Sequence, residues 1–157
     1  MRFLVTSELA RLGRWLRALG FDTVITQDHS ARRLALLCRL QDRILLTRIF
    51  RQAGVAGIPS YTYIRSDELT EQLSQVINTF DLQDFNLFSR CIYCNRKVQM
   101  VSKTEIEHRL PEQVQELYQN FTSCPSCGRI YWEGTHCEAI RKTMEQLSGN
   151  RFGTKSS

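Results

Sequence analysis

Over residues 1–80, short apolar runs alternate with amphipathic stretches. Further on, two hooks, Cys91-Ile92-Tyr93-Cys94 and Cys124-Pro125-Ser126-Cys127, precede an aromatic run, Ile130-Tyr131-Trp132. The first pattern predicts an α/β domain, a parallel sheet with flanking helices. The second predicts a small β-rich ribbon clasped by four thiolates and closed by a C-terminal helix. Four cysteine sulfurs suit Zn²⁺, which takes soft ligands in a tetrahedron. With 29 residues between the hooks, against the usual ~15–20, a β-hairpin with an insertion is expected over residues 95–123. Gly128 would supply the turn into the aromatic strand. The competing reading is two disulfides or reduced structural thiols; zinc is preferred because the chain shows no secretory pattern. A four-sulfur zinc has no open position, so such a site is structural.

The elements follow in order. Phe3-Leu4-Val5 reads as a strand, and Thr6 or Ser7 as the cap of a helix reaching Leu19, with Gly20 as its left-handed stop. Leu9, Leu12, Leu16 and Leu19 make that helix's apolar stripe, with Arg11, Arg14 and Arg17 on another face. Thr23-Val24-Ile25 is a second strand, residues 30–40 a second helix, and Arg43-Ile44-Leu45-Leu46 a third strand whose unbroken apolar run predicts burial. A short helix over residues 49–53, a fourth strand over 60–64 and a last helix over 67–80 complete the domain. Ser66 is expected to cap that helix, with Asp67 and Glu68 in its first turn. Residues 81–89 read as a linker, 90–147 as the ribbon with its C-terminal helix, and 148–157 as a frayed tail.

At 157 residues, 42% hydrophobic and 24% charged, the composition is that of a globular protein. No apolar run approaches the ~20 residues that cross a bilayer, and the opening residues do not read as a signal peptide. A reducing, cytoplasmic location is expected. Residues 1–80 hold eleven arginines and no lysine, against seven acids. Arginine's planar fork suits phosphate oxygens, so this excess leans toward nucleic acid; a solvated surface in an arginine-biased chain is the competing reading.

Ligands of parallel α/β sheets bind beyond the carboxyl ends of the strands. Thr6-Ser7, Gln27-Asp28-His29, Thr47-Arg48-Ile49 and Arg65-Ser66-Asp67 stand there. Of the carboxylates, Asp28 is best placed, with Asp67 and Glu68 as contributors or as helix-end charges, and Glu8 with the same helix-end explanation. His29 could serve acid–base chemistry but is more simply a surface residue. His108 falls in the insertion. His136 and Cys137 are spare ligands or packing residues, and Cys38 is a small core residue.

The motif order then becomes specific. Arg2-Phe3-Leu4-Val5, Leu12-Gly13-Arg14-Trp15-Leu16-Arg17, Leu19-Gly20-Phe21-Asp22 and Arg43-Ile44-Leu45-Leu46-Thr47-Arg48 come first. Arg65-Ser66-Asp67-Glu68-Leu69, Ser89-Arg90-Cys91 and the run from Cys124 through Trp132 to His136 complete the series. Over residues 1–141 the chain resembles the mut-7 C-terminal RNase domain family. The resemblance implies a PIN-like nuclease domain joined to a zinc ribbon, and metal-dependent RNA cleavage. It also implies aspartates after strand one and after the Leu-Leu-Thr-Arg run, where this chain has Thr6 and Ile49. Asp28 remains. Losing two of three oxygen donors should remove most Mg²⁺ or Mn²⁺ affinity.

The expected protein is therefore a PIN-like α/β domain with a degenerate nuclease site, binding RNA through phosphates, with ribosomal RNA or a ribonucleoprotein as its target. Arg11, Arg14, Arg17, Arg48, Arg51 and Arg65 are the expected phosphate contacts, joined by Arg96, Lys97 and Arg129 of the ribbon. Zinc would sit on Cys91, Cys94, Cys124 and Cys127. One alternative is an active metal-dependent endoribonuclease using Asp28 and Asp67, with Glu8 or Asp42 assisting. Another is a protein-docking adaptor presenting Tyr93, Tyr118, Tyr131 and Trp132.

Overall fold

The computed structural model describes residues 1–49 and 57–148, the side chains of His136 and Ser148 excepted. The helix expected over 49–53, Arg51 and the tail fall wholly or mostly outside the described residues. The chain divides into two compact units, Met1–Asn95 and Arg96–Ser157.

In the first unit β1 (Arg2–Thr6), β2 (Asp22–Thr26), β3 (Ile44–Thr47) and β4 (Tyr61–Tyr63) form a parallel sheet in the order β2-β1-β3-β4. Helices α1 (Ala10–Ala18), α2 (Ala31–Gln41) and α3 (Leu69–Phe80) flank it. The central strands carry continuous apolar runs because both faces are covered: Phe3, Leu4, Val5, Leu45 and Leu46 are fully buried. Leu4 and Leu45 share one cluster with Leu34, Cys38 and Ile58, while Phe3 meets Phe21 and Phe80 edge to face at 5.9 and 5.6 Å. The leucine stripe of α1 is buried throughout, and each such side chain contributes about 1.5–3 kcal/mol.

Several boundaries differ from expectation for local reasons. Ser7–Leu9 forms a 3₁₀ turn before α1, and neither Thr6 nor Ser30 caps its helix with a side-chain bond. Asp28 instead accepts from Ser30 N–H at 2.9 Å, an Asx turn that leads into α2. Asp67 and Glu68 precede α3 rather than entering it, and the Ser66 hydroxyl accepts Glu68 N–H at 3.0 Å. Gly20 ends its segment with φ at +98°, and a Cβ there would lie 2.5 Å from the Asn86 carbonyl. That carbonyl belongs to the stretch read as a linker. Residues 81–89 are instead sewn to α1: Asn86 N–H and Phe88 N–H donate to Leu19 O and Ala18 O at 3.2 and 2.7 Å, and Phe85 packs on Phe21. Its apolar residues Leu82, Phe85, Leu87 and Phe88 are what a free linker would lack.

The edge strand β4 is closed by one side chain. Gln75 of α3 accepts from Arg65 N–H at 3.1 Å and donates to Tyr63 O at 2.8 Å. That is the two-bond pattern a residue of a neighbouring parallel strand would make, so the amide occupies the edge.

The second unit has β5 (Gln99–Val101), β6 (Phe121–Ser123) and β7 (Ile130–Trp132) as an antiparallel sheet in that order. The insertion between β5 and β6 holds two short helices, α4 (Lys103–Ile106) and α5 (Glu112–Leu117), and α6 (Thr135–Ser148) follows the sheet. Ile106, Leu110 and Phe121 form one core cluster, with Val101, Val114, Tyr118, Ile130 and Trp132 packed on it, and Ile140 and Met144 of α6 are buried as well. Tyr118 and Trp132 thus serve the ribbon's own core. No helix among the described residues is long and apolar enough to cross a membrane.

Candidate functional site

Three of the four parallel strands end in threonine at the carboxyl edge of the sheet: Thr6, Thr26 and Thr47. Thr6 is fully buried. Its Oγ1 lies 3.0 Å from Thr47 Oγ1 and donates to Glu8 Oε1. Thr47 Oγ1 and Arg48 N–H also reach Glu8 Oε1, at 3.3 and 3.1 Å. Burial pushes the Glu8 carboxyl up, but the bonds from Thr6, Arg48 N–H and Thr47 outweigh it and hold the group below its ordinary value. Glu8 therefore does more than compensate a helix end: it is the carboxylate anchored at the ends of β1 and β3. The signal in the sequence was its spacing, two residues beyond a strand end. Ile49, half exposed, donates its N–H to Thr47 Oγ1 and offers no oxygen to a cation.

The other carboxylates are engaged elsewhere. Asp28 accepts from Ser30 N–H and pairs with Arg33 at 3.2 Å, and the Ser30 bond leads in holding its carboxyl low. Asp67 is exposed and ion-paired with Arg48. His29 is exposed. Among the described residues, Glu8, Asp28 and Asp67 do not form a converging set of metal-capable atoms.

The arginines separate in the same way. Arg11 and Arg14 are exposed on α1, and Arg65 is exposed at an open groove of about 420 Å³ that also includes Ser66, Glu71, Ser74, Asn78 and Thr79. Arg48 is spent on Asp67. Arg17 corrects the expectation of a phosphate contact: only 7% exposed, it donates to the carbonyls of Thr23, Ile92 and Tyr93, each at 2.8 Å. Its stem follows the apolar stripe while its fork fastens the first hook. Arg90 adds bonds to Gly20 O and Asn95 O.

Below the hook, Asn95 donates to Asp22 Oδ1 at 2.7 Å and accepts from Thr23 N–H at 3.0 Å. Arg43, 9% exposed, pairs with the same carboxylate at 2.8 Å. Burial raises the Asp22 carboxyl, but the bonds from Arg43 and Asn95 and the charges of Arg43 and Arg90 prevail and lower it. Because the folded pKa is the depressed one, this contribution is complete above the ordinary aspartate range and disappears as pH falls through the folded value. Asp22→Asn is expected to destabilise the first unit by roughly 2–3 kcal/mol at neutral pH, since it leaves the buried Arg43 charge without its carboxylate. Urea unfolding at neutral and acid pH checks this: the gap between the proteins should close in acid.

The hooks share one local geometry. Asn95 N–H donates to Cys91 O, and Gly128 N–H to Cys124 O, both at 2.9 Å, with φ of +62° at Asn95 and +68° at Gly128. Asparagine and glycine are the residues that tolerate that conformation. Cys94 N–H points at Cys91 Sγ from 3.3 Å, as a thiolate requires. The sulfurs of Cys91, Cys94, Cys124 and Cys127 all lie within 4.8 Å of one another, the one such cluster of metal-capable groups among the described residues. A tetrahedron with bonds near 2.3 Å has edges of about 3.8 Å, so four thiolates this close fit a metal such as zinc. Cys137 stands apart, buried, its thiol on Trp132 O at 3.4 Å.

No curated protein and no solved structure matches the chain. The model of the Mut7-C RNAse domain matches residues 1–144. With the parallel sheet, the small antiparallel sheet and the four-cysteine cluster in place, the chain belongs to the Mut7-C RNAse domain family.

Proposed function

We propose that this chain binds RNA through a basic surface of its first unit and has a degenerate nuclease site, with zinc as the metal of its four cysteines. The observation that carries the reading is the state of the sheet's carboxyl edge. Where the resemblance calls for two aspartates there is a buried threonine and an isoleucine, and the remaining carboxylates are each engaged at a different place. In-line phosphodiester hydrolysis needs cations fixed by several converging oxygens. Phosphate binding needs only cations, and Arg11, Arg14 and Arg65 are exposed for it, with Arg96, Lys97 and Arg129 exposed on the ribbon. Ribosomal RNA or a ribonucleoprotein is the target class this reading favours. Zinc would be held by thiolates alone and would supply folding energy rather than chemistry.

Glu8 supports a second reading, residual catalysis. It is a low-pKa carboxylate at the very edge where the family's chemistry belongs.

The binding claim is tested by titrating unstructured RNA at several salt concentrations. Affinity should fall steeply with salt, and Arg14→Glu should weaken all sequences alike while flattening the salt slope. A salt-independent affinity, or no binding at low salt, contradicts it.

A further inference from the structure

We propose that Tyr93, flanked by Arg14, is a stacking subsite for an unpaired RNA base, an inference that rests on the RNA-binding reading above. Tyr93 is the third residue of the first hook, and 52% of its surface is open to solvent, whereas Tyr118 and Trp132 are packed in the ribbon core. The Arg14 guanidinium carbon lies 5.9 Å from the centre of its ring, within cation–π range. Arg11, one turn earlier on α1, is also exposed.

The backbone beneath the ring is held from several directions. Arg17 grips the carbonyls of Ile92 and Tyr93 at 2.8 Å each, and Asn95 closes the hook onto Cys91 O while its side chain binds β2. A ring on so fixed a backbone loses little freedom when a ligand arrives, which makes it a better anchor than a tyrosine on a free loop. The pairing of an aromatic face with adjacent guanidinium groups suits one nucleotide: the base stacks, and the phosphates find the arginines. It also selects a strand type, because bases in a duplex keep their faces stacked on each other and only unpaired ones can be offered to a side chain. A purely apolar protein partner would leave Arg14 and Arg11 uncompensated at its interface.

The test uses the full chain and an unstructured RNA carrying a fluorescent adenine analogue, the same strand with abasic positions, and a duplex of that sequence. The natural protein and Tyr93→Phe should quench the analogue and prefer the intact single strand over both other probes. Tyr93→Ala should lose the quenching, bind about 5- to 100-fold more weakly, the range of one lost stack, and no longer distinguish intact from abasic RNA. Its salt dependence should stay that of the natural protein, because no phosphate contact is removed. If the natural protein binds all three probes equally, or Tyr93→Ala binds as tightly as it does, the stacking site is wrong while the RNA-binding reading stands. If the natural protein binds no RNA at low salt, both fall. The probe comparison on the natural protein decides the matter even if Tyr93→Ala does not fold.

Discussion

Cys124→Ser, or treatment with a strong chelator, is expected to unfold the second unit and leave most of the first folded. The reason is the size of the two cores. The second unit has a cluster of Ile106, Leu110 and Phe121 with a half-buried surround, Ile140 and Met144 buried on α6, and sheet strands of three residues each. Units this small seldom hold together on apolar burial alone. Zinc on four thiolates is worth about 10–16 kcal/mol in comparable small domains, and that energy enters folding directly. The first unit has a full parallel sheet with five fully buried apolar residues in its two central strands, and its first hook is also held by Arg17, Arg90 and Asn95. Hydrogen exchange should therefore show protection lost over β5 to α6 and retained over β1 to α3. Fewer than about half a zinc per purified chain, or a disulfide between Cys91 and Cys94, would contradict this.

How much of this was legible in the sequence depends on the kind of interaction. The strands of the first unit announce themselves because buried parallel strands must be apolar along their whole length, as Phe3 to Val5 and Leu45-Leu46 are. The cysteine cluster announces itself because four thiols in two short hooks have few uses other than holding a metal. Arg17 was misread for a general reason. Helical periodicity gives the direction of a side chain but not the carbonyls waiting at its end, and those of Ile92 and Tyr93 come from far along the chain. Glu8 was undervalued likewise: its partners Thr47 and Arg48 are some forty residues away and meet it only because β1 and β3 are neighbours. The stretch over 81–89 read as a linker, while its four apolar residues and its backbone bonds to α1 decide where it lies.

The natural protein is expected to show no divalent-metal-dependent RNA cleavage. Thr6 has no charge to offer a cation, and its hydroxyl is engaged with Glu8 and Thr47. Ile49 can neither ligate nor accept a proton. Mg²⁺ takes an octahedral oxygen shell and must be fixed against the scissile phosphate, and Glu8, Asp28 and Asp67 do not converge to do this. Typical metal-assisted hydrolysis is many orders of magnitude faster than the uncatalysed reaction, so the expected loss is the whole of that factor rather than a fraction. Thr6→Asp combined with Ile49→Asp should restore a cation site. Placing a carboxylate beside Glu8 raises the proton affinity of the pair unless a metal neutralises it. The double variant should accordingly melt lower than the natural protein without metal and recover with Mn²⁺, while the natural protein's melting stays insensitive to Mn²⁺.

One measurement weighs binding against catalysis in a single sample. An unstructured RNA labelled at one end is incubated with the natural protein at low salt in Mn²⁺, and the retained and cleaved fractions are followed together, with Asp28→Asn and Glu8→Gln alongside. The expected result is RNA that is bound, released by added salt, and recovered intact with all three proteins. Mn²⁺-dependent cleavage by the natural protein that disappears in Asp28→Asn or Glu8→Gln would contradict the account and return the chain to the nucleases.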